Sequence, residues 1–179
     1  YCSGDGTFFL QVPIADTGTK FIDRAYPYGS TSGETRIPHL GVEFYNPSGT
    51  PVLAAGSGIV IFAGNDETSQ LGPYTNFYGN LLIIRHSLGA EIIYSLYAHL
   101  SKIHAVSGQD VIQGEEIGEV GSSGSSIGSH LHFELRRDYN DFNTTLNPEL
   151  WLEPFQNTGV LAMRFNDEGG NFLNIATNV

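Results

Sequence analysis

The residues of this chain best suited to chemistry are histidines and a few carboxylates in short motifs. His39 and Glu43 stand four apart in Ile-Pro-His-Leu-Gly-Val-Glu-Phe (37–44), His99 in Tyr-Ala-His-Leu (97–100), and His130 and His132 in Ser-His-Leu-His-Phe-Glu (129–134). Two residues apart on a strand, His130 and His132 point to the same face, with Cα atoms about 6–7 Å apart. Glu134 continues that face. A lone strand histidine is more often a packed or surface residue than a ligand. A His-x-His pair, a second His-bearing strand and a His-x3-carboxylate together, without cysteine, point to zinc held by nitrogen and oxygen.

The 39/43 spacing raises a difficulty. The residues around it favour a strand or a bend over a helix, and four residues of extended strand span about 13 Å. Ligand bonds of about 2.0–2.2 Å cannot easily close across that distance. Either the two residues form no site, or the chain bends between them.

Positioning such groups falls to β-structure. Glycine is frequent (22 of 179 residues), and Tyr and Phe are abundant. This favours an all-β or β-rich protein with many tight turns. Thr7–Ile14 reads as a first strand, and 15–38 as a polar loop. Residues 50–64 hold two short strands broken at Gly56–Gly58, and 80–100 two runs flanking a Ser-Leu-Gly-Ala turn. Residues 106–121 read as short strands between Gly turns, and 130–137 as a cleanly alternating strand. The loop at 65–79 is too long for a bare connector. Asn147 and Pro148 fit the cap and first position of one helical turn.

Composition narrows the function. Net charge is −11, with 15% charged residues and no basic run. Such a surface repels nucleic-acid phosphates and anionic membranes, so no nucleic-acid partner is expected. No apolar run approaches the length of a membrane span. One cysteine, Cys2, rules out a disulfide within the chain and reads as a free thiol. The chain opens on Tyr1, with Met163 its one methionine, and so reads as a processed product. Gly-Ser-Ser-Gly-Ser-Ser-Ile-Gly-Ser-His (121–130) lacks the Gly-Lys-Ser/Thr ending of a phosphate loop, and no nucleophile elbow accompanies its serines.

The stretches 38–64, 78–87, 96–101, 106–136 and 147–152, in that order and spacing, resemble the M23 family of zinc metallopeptidases, the lysostaphin-like or LytM-type peptidoglycan endopeptidases. The resemblance covers about 21–154. It implies a β-rich fold of the LytM/lysostaphin (duplicated hybrid motif) type, with a narrow groove floored by a central sheet. Carried over, it makes His39, Glu43 and His132 the ligands of Zn2+, and His99 and His130 the catalytic pair. Which of the two is the base and which steadies the oxyanion stays open. The open zinc position would take water or substrate. His86 is read as structural, His104 as a surface residue, and Tyr97 as packing residue rather than donor. The family's usual second ligand is Asp, so Glu43 is a departure, one methylene longer. As fellow ligands, His39 and Glu43 require the chain to bend between them, and Gly41 is the residue expected to permit it.

The implied activity is a zinc endopeptidase cutting peptide bonds in peptidoglycan cross-bridges or stem peptides, in an extracytoplasmic, bacterial setting. The alternatives are a non-catalytic binding module of the same fold, or a secreted peptidase directed at other proteins. Residues 1–156 are expected to form the peptidase domain. The tail, 157–179, reads as strand, turn, strand, the possible opening of a following β-sandwich module. Oligomeric state is left open.

Overall fold

A computed structural model describes residues 9–89 and 91–154. Cys2, the expected boundary at 156 and the tail lie outside the described residues.

Ten short strands alternate with turns: β1 (Val42–Tyr45), β2 (Pro51–Leu53), β3 (Gly58–Asn65), β4 (Asn80–Leu88), β5 (Glu91–Ala98), β6 (Lys102–Ile103), β7 (Asp110–Val111), β8 (Glu116–Glu119), β9 (His130–Arg137) and β10 (Thr145–Leu146). All pairings between them are antiparallel. The main sheet runs β1-β9-β5-β4-β3-β7, with β10 also on β9, and a small sheet runs β2-β8-β6. The helical content of the described residues is two 3-10 turns, Phe142–Thr144 and Pro148–Leu150. The second starts as its sequence dictates: the Asn147 side chain accepts the Glu149 N–H, and Pro148 follows the cap.

Strand alternation sorts side chains between the two faces of the main sheet. Leu131, Phe133 and Leu135 of β9, with Leu82 and Ile84 of β4, enter the larger core. On β4 and β5, Leu81, Ile83, Leu96 and Ala98 turn the other way, into a second cluster with Tyr78. On that same side β9 carries His130, His132, Glu134 and Arg136, all buried. A polar row on a buried strand face is costly unless each group is paired. That row is the floor of the site.

Two expectations need correction. Residues 7–14 form no strand within the described part: Leu10 and Ile14 make only isolated bridges, to Leu152 and Val52. Their side chains are buried, so burial rather than ladder pairing uses this apolar run. The strand at β5 also does not carry His99 onward in register. His99 has φ of 61°, left-handed backbone that L residues seldom adopt. Tyr97 keeps the strand's alternation and lies in the larger core, edge-on at 5.3 Å to Phe133, while His99 turns away from that core to line the groove.

Candidate active site

His39 precedes β1, and Glu43 lies on it, directly opposite His132 of β9. The chain does bend between them, at Gly41. The reason for glycine there differs from the expectation. Gly41 does not use the left-handed region; a Cβ at this position would lie 2.6 Å from His132 Cε1 and 2.7 Å from the Phe133 carbonyl oxygen. The residue is small because the His132 ring packs on its backbone.

The bend brings three donor groups together. Glu43 Oε1 is 2.9 Å from His39 Nε2 and 3.0 Å from His132 Nδ1, and the two nitrogens are 3.4 Å apart. All three residues are buried. The extra methylene of Glu43 does not take its carboxylate out of reach. Its Oε2 approaches His130 Nε2 to 3.0 Å, off the line of a hydrogen bond, and is otherwise an orphaned buried oxygen. Two imidazole nitrogens and a carboxylate fit a divalent metal such as zinc. A buried carboxylate with an unsatisfied oxygen is what a missing cation leaves behind.

Each ring is fixed from its far side. His39 Nδ1 faces the Tyr26 carbonyl oxygen at 2.8 Å, and the Tyr26 ring stacks on the imidazole at 4.1 Å. His132 Nε2 is 3.0 Å from Glu134 Oε1. Glu134 also accepts from the Tyr78 hydroxyl (2.6 Å) and from Arg136 Nε and Nη2 (3.0 and 2.9 Å). Arg136 reaches on to the Leu71 carbonyl and the Asn140 side chain. Such outer partners set tautomer and ring orientation. This Glu134–Arg136–Tyr78 network was missed in the sequence, where only the face of Glu134 was legible.

His99 and His130 complete the cluster, their rings 4.8 Å apart. His99 Nδ1 faces the Ser123 carbonyl at 2.8 Å, and His130 Nδ1 the Gly128 carbonyl at 3.1 Å. The loop 121–129 thus aims both rings. It is locked to the 65–79 loop where Gly79 and Gly124 cross: a Cβ on either would lie 2.4 Å from the other's nitrogen. The remaining histidines stand apart. His86 is buried against the Ser57 carbonyl and the Ser95 hydroxyl, and half-exposed His104 faces Glu116 and Glu119.

Electrostatics follow this packing. Burial works against charge on His132, but the carboxylates of Glu43 and Glu134 outweigh it and raise the imidazole to about 10. Burial likewise works against Glu43, yet His132, His130 and His39 hold it well below the usual carboxylate range. His99 is pushed down to about 3, by burial first and then by His132 and His130.

Around the cluster lies a groove of about 580 Å³. The 15–38 segment lends it Tyr26 and Arg36, the 65–79 loop Tyr74 and Phe77, and the 121–129 loop Ser125 and Ile127. Both segments read as loops in the sequence therefore form walls.

The chain is similar in sequence and fold to known proteins. The DD-carboxypeptidase/endopeptidase Mpg of Neisseria meningitidis is 43% identical over 98 residues, 55% of this chain and 20% of that protein. The chain therefore matches about a fifth of that relative's length. Lysostaphin, described as an antimicrobial peptidase from Staphylococcus simulans, superposes with a TM-score of 0.62 at 27% identity, covering 93% of this chain and 65% of that one. A zinc-containing peptidase from Vibrio cholerae gives 0.61 at 29%, covering 78% and 38%. Residues 37–144, which carry all five site residues, match peptidase family M23. By fold, by the matched segment and by the motifs within it, the chain belongs to that family.

Proposed function

We propose that this protein is a zinc-dependent endopeptidase that hydrolyses peptide bonds in peptidoglycan, outside the cytoplasm. His39, Glu43 and His132 hold the ion, and His99 and His130 assist beside it. The observation that carries this reading is the buried N, N, O donor set opening, with two further imidazoles, into a groove. When bound, zinc supplies Lewis-acid polarisation and acidifies a water.

The chain's own groups divide the remaining work. His99 gives Nδ1–H to Ser123 and stays neutral, so its Nε2 presents a lone pair that can orient an attacking water. His130 has an oxygen at each nitrogen, Gly128 O and Glu43 Oε2. It is the member placed to donate from Nε2 to a developing oxyanion. The aromatic walls confine an extended peptide and exclude water. Relatives named as peptidoglycan DD-endopeptidases, such as ShyA of Vibrio cholerae at 40% identity over 98 residues, favour peptidoglycan as substrate. None of the helices among the described residues is long and apolar enough to cross a membrane.

The test is digestion of purified peptidoglycan and of Gly-rich peptides by the zinc-loaded protein, with products read by mass spectrometry. Cleavage that stops on chelation and returns with zinc is expected. Protein that holds about one zinc yet leaves every substrate uncut would overturn the proposal.

A further inference from the structure

Arg36 is the one Lys or Arg among the described residues lining the groove. It is exposed, and it forms no ion pair with any described carboxylate. Arg24 and Arg85 share that lack of an ion pair, but neither lines the groove. The Arg36 guanidinium instead lies over the Tyr26 ring, 5.4 Å from the centroid, and the other stacking partner of that ring is His39. Guanidinium, phenol and imidazole thus form a three-tier stack running from the groove wall to a proposed metal ligand.

Stacking on a ring fixes the plane of a guanidinium and leaves its edge N–H donors free. Those donors match the two oxygens of a carboxylate, which Arg grips bidentately. Acidic groups over the rest of the surface repel an anionic ligand, so this edge is where the groove can receive one. The two stacking steps place Arg36 within about 10 Å of His39, the length of about three residues of extended peptide.

We propose that Arg36 is the specificity-determining residue of the groove, and that the preferred substrate is a peptide with a free carboxylate within about three residues of the scissile bond. This rests on the endopeptidase reading above and sharpens it. It predicts preference for acidic stem peptides over neutral glycine bridges. The carboxylate has two sources, the peptide's C-terminus or an acidic side chain.

Four synthetic cross-linked stem peptides separate them: both carboxylates free, the C-terminus amidated, the side chain amidated, and both amidated. For the zinc-loaded wild type, kcat/KM is expected to fall about tenfold when the recognised carboxylate is amidated, the size of one charge-assisted contact at an exposed site. In R36Q the acid-to-amide ratio should drop to about one, and in R36K to an intermediate value, because Lys keeps the charge but loses the fork. A wild type that treats all four peptides alike overturns the inference. So does an R36Q variant that slows all four by the same factor. If no peptide is cut, the endopeptidase reading fails by itself, and calorimetric affinities for the same four peptides still decide the role of Arg36.

Discussion

Replacing Glu134 with Gln tests how the floor of the site is held. Glu134 is fully buried and accepts from Tyr78 and twice from Arg136, with His132 Nε2 at 3.0 Å. Arg136 is also fully buried. Burial alone would lift the Glu134 carboxyl, but Arg136 and His132 outweigh it and hold it below its ordinary value. The E134Q amide would keep the shape and lose the charge, leaving a buried guanidinium without a counter-ion. Breaking a buried pair from one side costs about 3–5 kcal/mol. For a domain of this size that lowers Tm by about 6–20 °C. His132 would also exchange a charged partner for a neutral one, so zinc affinity should fall, by up to about 10–100-fold. The double variant E134Q/R136M separates the two effects. With both charges gone, much of the Tm should return, while zinc affinity stays low because His132 still lacks its carboxylate partner. Thermal melts and competitive zinc titration read both quantities. E134Q with a Tm within about 2 °C of wild type and unchanged zinc affinity would refute the reasoning.

Gly41→Ala should weaken zinc binding more than it weakens the fold, since the added methyl meets the His132 ring at the bend; isothermal titration beside a thermal melt checks this. His39→Ala and His132→Ala should each take bound zinc from about one per chain to near zero at micromolar metal, read by elemental analysis. Zinc at about 100 times its Kd should stabilise the wild type by about 2.7 kcal/mol, a gain that chelation removes and that neither alanine variant shows. Finally, burial holds His86 below its ordinary value of 6.5 despite the Ser57 carbonyl at its Nδ1. The unfolded chain takes up this proton near 6.5 and the folded chain does not, so stability must fall as pH drops below 6.5, by up to about 1.4 kcal/mol per pH unit until the folded group titrates. Urea midpoints from about pH 7.5 to 5 should show this slope, reduced in His86→Gln.

How far the sequence foretold the molecule depended on whether a signal was local. The β9 strand was legible because its alternation is strict and its two histidines share a parity. The 80–98 hairpin was legible for the same reason. His39 and Glu43 posed a real spacing conflict, and the bend that resolves it was correctly placed at Gly41. The cause of the glycine was not legible, because it comes from the His132 ring, far along the chain. The left-handed turn at His99 was hidden too: nothing in Tyr-Ala-His-Leu departs from an ordinary strand, and the conformation is imposed where His99 N–H meets the Tyr78 carbonyl. Arg136 reads as a surface charge until the fold places Glu134, Tyr78 and Leu71 around it. Arg36 sits in a polar, glycine-containing loop with no periodicity, so only the assembled wall reveals which way it serves.

The bridge between Leu10 and Leu152 has a mechanical meaning. It is parallel, and the Glu153 N–H donates to the Leu10 carbonyl at 2.8 Å. The two ends of the described chain are thus clasped at one place. Wherever longer chain continues from both ends and is pulled, the force arrives at this clasp as shear, along the paired segments, rather than peeling them apart. The sheet that carries the histidines is loaded only after the clasp gives way. A pull on both flanks therefore leaves the shape of the groove unchanged until the clasp opens.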